Sequence, residues 1–393
     1  MQEASVHRHR PNPLRETRAA VFEIPDELES FRDVVRRFAQ DEVAPLVDEA
    51  ERTASTPRVL VQRAGELGLL GIQFDPIDGG AGAGILGAAI AREELSYVCA
   101  GISSTLGHQD HVGTKYLVLH ADDEQRERWL FPATQGKIVT SWAVTEPDAG
   151  SDVRSIRTTA RPAGDGWIIR GAKTFITNGP IADAVQVVTR LEGSDLFGVF
   201  VVEREDEGFA SRQLAKLGLR SSHVGELVFD DVEIKDDRKL SPPGGASIKD
   251  ILDVLTEGRV LVAASALGIA QAAFDEALAY TQQREVFGHK VEEMSTKLAE
   301  ADALLAACRL MTYRTAHMCD VSSRTPLREC SQAKLFVSES ALHIVDQMMR
   351  VFGGTCFTQE STIERLYRDV RFAQIVEGTS EIQHRILARQ LGL

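Results

Sequence analysis

The sequence predicts a multidomain α+β protein: an N-terminal α-helical domain, a middle antiparallel β domain and a C-terminal four-helix bundle. Three observations carry this. Apolar residues recur at helical spacing as far as about residue 138, the period shortens to two with β-branched residues over 139–240, and long helical stretches come after. With 393 residues and 43% hydrophobic content, the chain is long enough for two or three packed domains, each expected to have its own core.

Residues 1–24 are Arg-rich but carry glutamates and prolines and lack an apolar centre, so they read as a loose arm rather than a signal or transit peptide. Residues 25–138 hold "LESFRDVVRRFAQDEVAPLVDEAE", "RVLVQRAGELGLL" and "GILGAAIAREELSYV", each periodic as a helix. Residues 139–240 hold "WIIRGAKTFITNG", "ADAVQVVTRL", "LFGVFVVERE" and "ELVFDDVEI", alternating and separated by Gly, Asp and Asn. After the turn-rich "SPPGG" (residues 241–245), residues 241–393 predict helices over Ile248 to Gln283, Ser295 to Val321 and Leu327 to Val351, then two shorter ones.

Composition excludes several classes of function. Apolar runs such as "VLVAASALGIA" stop well short of the roughly 18 residues of a membrane span, and a net charge of −14 with a pI near 5.3 argues against a polyanion binder. A cytoplasmic protein without nucleic-acid or membrane partners is expected. Five scattered cysteines without a C-x-x-C pair indicate neither a disulfide framework nor zinc, and His108 with His111 lacks a third metal ligand nearby.

"GAGILG" (Gly82 to Gly87) fits G-x-G-x-x-G, a dinucleotide fingerprint only if a second parallel strand comes after the helix. The stretch in that position, "VCAGISSTLGHQDHVGTKYLVL", is too small and polar for a buried parallel strand. The glycines therefore read as a loop leading into a helix.

Four further stretches occur in order: "TEPDAGSD" (145–152), "KTFITNG" (173–179), "REVFG" (284–288) and "EGTSEIQ" (377–383). Together with the block order, they resemble the acyl-CoA dehydrogenase family from about residue 25 to the C-terminus. The resemblance implies bound FAD and removal of an α-proton by a carboxylate while hydride leaves the β-carbon for flavin N5. It implies Glu377 as that base. Around it, Gly378 permits close backbone approach and Ser380 with Gln383 suggests a capping box for the last helix. Burial would raise the pKa of Glu377 while the helix N-terminus would lower it, and the sequence leaves the balance open. Some family members carry the base before an arginine in the first long bundle helix; here Gly258 precedes Arg259, and Glu257 is about 100° away on a helix, which suggests surface.

The resemblance further implies Trp142, Val144, Thr145, Phe175 and Thr177 against the flavin ring, with Thr379 and Glu381 also against the cofactor. Ser151 is implied beside cofactor or substrate, and Gly378 beside substrate. Arg284 and Phe287 are implied to reach the FAD of a neighbouring subunit, hence a homo-oligomer, expected as a tetramer, and Arg350, Gly353 and Gly354 are implied to bind FAD, Arg350 by pairing with a phosphate. Lys290, Val291, Met294, Ser295 and Arg350 depart from the usual pattern and remove two amides that usually meet the adenosine half. Arg259 could hold the thioester arm or make a surface salt bridge. Gln109 and Asp110 could face the acyl pocket, selecting a short or polar acyl group, or lie on a solvent face.

The expected activity is FAD-dependent desaturation of an acyl thioester on coenzyme A or a carrier protein, with an electron-transfer flavoprotein or oxygen as acceptor. Oxidative decarboxylation or oxygenation on the same flavin is the alternative. A nucleic-acid-binding relative is disfavoured because the final helix carries only Arg385 and Arg389 as cationic residues.

Overall fold

The computed structural model describes residues 24–242, 244–286, 289–290 and 294–393. The N-terminal arm up to residue 23, Phe287, Val291 and the Lys290 side chain lie outside the described residues. Helices α1 (Asp26–Phe38), α2 (Val47–Thr53), α3 (Arg58–Glu66), α4 (Gly84–Asp110) and α5 (Val112–His120), with the short α6 (Asp123–Gln125) and α7 (Phe131–Thr134), come first. Strands β1 (Thr140–Ala143), β2 (Thr159–Ala163), β3 (Gly166–Thr177), β4 (Ala184–Leu191), β5 (Phe197–Glu203), β6 (Phe209–Gln213) and β7 (Val224–Lys235) form one sheet. After them come α8 (Ile248–Asp253), α9 (Gly258–Gln283), the two-residue strands β8 (Glu285–Val286) and β9 (His289–Lys290), α10 (Ser295–Val321), α11 (Leu327–Phe352), α12 (Thr362–Val370) and α13 (Ser380–Gln390).

The glycine-rich stretch is indeed a lead into a helix, and the structure supplies the reason. Asp320 of α10 accepts hydrogen bonds from the first free amides of α4, Ile85 N at 2.6 Å and Leu86 N at 3.0 Å. The helix N-terminus is thus occupied by a carboxylate of the same chain, the kind of anion it favours. A Cβ on Gly84 would lie within 2.7 Å of that carboxylate, so the glycine makes room for the cap.

The single helix expected over Ile248–Gln283 is two. Ser247 and Asp250 form a reciprocal capping box that starts α8, and a turn over residues 254–257 separates it from α9. Helix α9 is buried along almost its whole first half, from Gly258 through Ala270. A helix apolar all round belongs in a core, and α9 packs against α4, α10 and α11. A Cβ on Gly268 would meet the Glu93 carbonyl at 2.3 Å, so α4 and α9 are in backbone contact there. One core cluster runs from Val35 and Ile90 to Val260, Ala264 and Cys330, so the two helical blocks share part of a core, while a second cluster of Leu267, Leu305, Ile344 and Leu366 lies within the C-terminal helices.

The sheet runs β1-β4-β2-β3-β7-β6, with β5 paired to β4. It is not wholly antiparallel: β1 and β2 both run parallel to β4, the crossover that a parallel pair needs being the β2–β3 hairpin between β1 and β4 and strand β3 between β2 and β4. Strands β4 and β5 are buried nearly throughout, as expected for strands covered on both faces.

One ion pair ties this sheet together. Lys173 of β3, 0% exposed, donates to the Val144 carbonyl at 2.9 Å and to Glu146 Oε1 at 2.8 Å, and Glu146 also accepts from the amides of Arg157 and Thr158. "TEPDAGSD" and "KTFITNG" are therefore two halves of one strut. Replacing Lys173 by Met leaves a buried carboxylate without its cation, which costs about 3–5 kcal/mol. The expected result is a lower urea midpoint at unchanged m-value, checked by equilibrium unfolding.

Candidate active site

A cavity of about 310 Å³ opens where α4, the end of β3, the start of α9 and the segment after α12 meet. The segment after α12 supplies Phe372, Ile375, Val376 and Glu377. Residues 371–374 form a 3₁₀ turn, and Glu377 (φ 53°) and Gly378 (φ 86°) then take left-handed backbone before α13 begins. For a non-glycine residue that conformation costs about 1–2 kcal/mol. It is held by three hydrogen bonds: Lys334 of α11 donates to the Gly378 carbonyl at 2.8 Å, and the Gln383 amide donates to the carbonyls of Gly378 at 2.8 Å and Glu377 at 3.2 Å. Gln383 is thus a clamp on this turn, and the capping residue of α13 is Thr379, whose hydroxyl accepts from Ile382 N at 3.4 Å. The expected Ser380 box is displaced by one residue because Ser380 donates instead to Glu339.

The Glu377 carboxyl points at the start of α9. A Cβ on Gly258 would lie 3.0 Å from its Cδ, so the residue that could have been an alternative acid is the one whose missing side chain admits this one. Glu377 Oε2 is buried with no hydrogen-bond partner among the described residues. Burial wins over the nearby positive charges: the carboxyl is pushed up to about 7, opposed by Arg259, Arg92 and Lys334. A carboxyl with this value is half charged near neutrality and suited to accepting a proton.

Phe175 and Thr177, from the end of β3, also line the cavity. Phe175 is 68% exposed at φ 58°, where β3 loses register with β7 between Lys173 and Ile176. With Leu217 (64%) and Ile375 (57%), it leaves an apolar trough open at the cavity wall. Trp142 and Val144 lie just behind, buried, the indole stacked 5.0 Å from Tyr116 and its Nε1 without a partner among the described residues. Thr145 is half-buried and its carbonyl accepts from Thr174 N.

Several expected site residues lie elsewhere. Gln109 and Asp110 neither line the cavity nor face solvent: Gln109 bonds the carbonyls of Ala133 and Ile138 and the Thr140 amide, and Asp110 Oδ1 accepts from Gly71 and Ile72. Their polar atoms hold loops to α4, which is why they are buried at 1% and 2% exposure. Arg259 neither lines the cavity nor makes a surface salt bridge; it is 8% exposed beside Glu377, with Nε and Nη1 unpartnered among the described residues. Glu257 is not a solvated surface acid but pairs with Lys115. The Gly378 carbonyl is taken by Lys334 and Gln383, while Ser151 and Glu381 are exposed. Arg284, Arg350, Gly353 and Gly354 are exposed and remote from the cavity lining, Arg350 pairing with Asp346.

Conversely, no sequence pattern singles out Arg92 and Lys334, and His108 and His111 stand out in the sequence only as polar residues in the acyl-pocket stretch and as a poor metal pair. All but Lys334 line the cavity. Arg92 reaches Gly107 only because α4 kinks at Cys99, and a Cβ on Gly107 would overlap the Arg92 guanidinium.

Models of the acyl-CoA dehydrogenase N-terminal, middle and C-terminal domains match residues 25–137, 141–232 and 248–392. The chain belongs to the acyl-CoA dehydrogenase family. It is 35% identical over 371 residues to the 3-(aryl)acrylate reductase of Clostridium sporogenes, covering 92% of this chain and 98% of that one. Its fold is similar to butyryl-CoA dehydrogenase from Megasphaera elsdenii (TM-score 0.90, 29% identity, 95% and 100% of the two chains). It is also similar to a glutaryl-CoA dehydrogenase from Mycobacterium smegmatis in complex with FADH2 (TM-score 0.89, 28% identity, 94% and 95%). Members of this acyl-CoA dehydrogenase family are oxidoreductases that act on CH–CH groups of acyl-CoA with FAD as cofactor.

Lys334 lowers the pKa of Glu377 by its charge while holding the turn. Replacing Lys334 by Met is therefore expected to move the Glu377 titration to higher pH. Difference infrared spectra of the carboxyl stretch between pH 5 and 9, blanked with Glu377→Gln, check the direction.

Proposed function

We propose that this protein is an FAD-dependent dehydrogenase that desaturates the α,β-bond of a short acyl-CoA, with Glu377 as the base. The observation that carries the reading is the buried, unpartnered Glu377 carboxyl facing a cavity whose other wall is the open end of β3.

The chain's own residues fit the cofactor. The exposed apolar trough of Phe175, Leu217 and Ile375 suits a flat ring, and the unpartnered Trp142 Nε1 lies behind it. Phe175, Thr177 and Trp142 would hold the isoalloxazine, with Val144 and Thr145 presented to it by the Lys173–Glu146 strut. Thr379 and Glu381 at the start of α13, and Ser151 at the exposed turn after β1, are placed at its rim in this reading. Bound there, FAD supplies the acceptor for the hydride leaving the β-carbon. Glu377 accepts the α-proton on the opposite side. Its lack of a hydrogen bond keeps the lone pair available, and the left-handed turn, clamped by Lys334 and Gln383, aims it. Lys216 and Arg371 at the lining supply positive charge suited to the phosphates of coenzyme A.

The exposure of Arg284, Arg350, Gly353 and Gly354, and of Phe357 at 88%, supports a homo-oligomer in which the first four, with Phe287, reach a neighbour's FAD, a tetramer being the proposed form. An electron-transfer flavoprotein is the proposed acceptor.

The purified protein is expected to be yellow and to bleach anaerobically on adding butyryl-CoA; a colourless protein that takes up no FAD on titration contradicts the proposal. Glu377→Gln keeps the flavin spectrum but loses about 10²–10⁴-fold in kcat. Because the base acts unprotonated and its pKa is raised to about 7, kcat/KM rises with pH through that value and falls about tenfold per unit below it. A stopped-flow pH profile of flavin bleaching measures this.

A further inference from the structure

Arg92 lies on α4 and lines the cavity. Its guanidinium makes no hydrogen bond or ion pair among the described residues, and its Nε is buried and unpartnered. Two carboxyls act on its charge without touching it: Asp110, committed to the amides of Gly71 and Ile72, and Glu377, the base. A cation kept in a cavity without acceptors is costly unless something that enters the cavity supplies them.

Two imidazoles that burial keeps neutral stand on the same wall. His108 Nε2 accepts from the Trp142 amide at 3.3 Å, so its ring proton sits on Nδ1, and burial keeps the ring neutral. His111, 2% exposed, meets the Gln73 amide through Nδ1, and its Nε2 is buried and unpartnered. Gly107 creates the space in which the guanidinium lies: any Cβ there would come within 1.8 Å of Arg92 Cζ.

We infer that Arg92, with His108 and His111 beside it, selects an acyl chain ending in a carboxylate, making the preferred substrate the coenzyme A half-thioester of a short dicarboxylic acid. This rests on the dehydrogenase reading of the same cavity. The planar fork of a guanidinium matches a carboxylate with two parallel hydrogen bonds, whereas an alkyl terminus leaves it unpaired. The chain is short because Arg92 and Glu377 line one cavity of about 310 Å³. The arrangement also protects the chemistry. A second carboxylate near Glu377 would disfavour its charged form, and a guanidinium bound to that carboxylate cancels the effect.

The test uses the holoenzyme with glutaryl-CoA, succinyl-CoA, butyryl-CoA and hexanoyl-CoA, read as kcat/KM with an artificial electron acceptor. Glutaryl- or succinyl-CoA is expected to exceed both monocarboxylic thioesters by about tenfold or more. Arg92→Met is expected to lower the dicarboxylic value by about a hundredfold and abolish the preference, and Arg92→Lys to keep its order with a smaller ratio. Calorimetric binding of the same thioesters to Glu377→Gln holoenzyme repeats the comparison without turnover, and it decides the matter if Arg92→Met fails to retain flavin. Butyryl- or hexanoyl-CoA used and bound as well as the dicarboxylic thioesters, or an unchanged ratio in Arg92→Met, overturns the inference and leaves the dehydrogenase reading standing. Failure of every thioester to bleach the flavin overturns both.

Discussion

A carboxyl group held at a cavity wall with a buried oxygen that meets no hydrogen bond is an expensive thing for a fold to hold, and much of this molecule is arranged around holding Glu377 that way. Its cost has two parts, desolvation and a left-handed backbone, and each is met by a different element. Three cations, Arg92, Arg259 and Lys334, act on its charge from α4, α9 and α11. The backbone is held by Lys334 and Gln383, which take the carbonyls that the turn leaves free. Gly258 opens α9 without a side chain, which leaves the carboxyl its place.

Two of those cations are themselves short of partners. Arg259 and Arg92 each keep buried guanidinium nitrogens unpartnered among the described residues, so the charge set around the cavity is balanced by distance instead of by contact. A contact ion pair would quench the base. Charges held apart tune it while leaving both it and the cavity-facing Arg92 able to meet a ligand.

The opposite wall depends on the Lys173–Glu146 pair. By taking the Val144 carbonyl and the amides of Arg157 and Thr158, it fixes the exit of β1 against β3, and β3 then ends in the register shift that turns Phe175 outward. Ser141 donating to the Thr177 carbonyl and Asn178 donating to Thr105 complete the attachment of that strand end to β1 and α4. A stiff sheet edge and a stiff turn thus face each other across the cavity.

The sequence by itself determined the element types, since periods of 3.6 and 2 follow from backbone geometry alone, and it located α10 from Ser295 to Val321 to the residue. It also marked Glu377, Thr177 and Phe175, because motifs keep local spacing. What only the tertiary structure decided was whatever depends on residues far apart in the chain. Burial of Gln109 and Asp110 against loops at 71–72 and 133–140, the carboxylate of Asp320 on the α4 N-terminus, and the Gly107 space filled by Arg92 have no periodic signature. The Glu377 titration was likewise undecidable from the sequence. Desolvation depends on the atoms packed around a group, and those come from α4, α9 and α11, joined to Glu377 only when the core shared by the two helical blocks has closed.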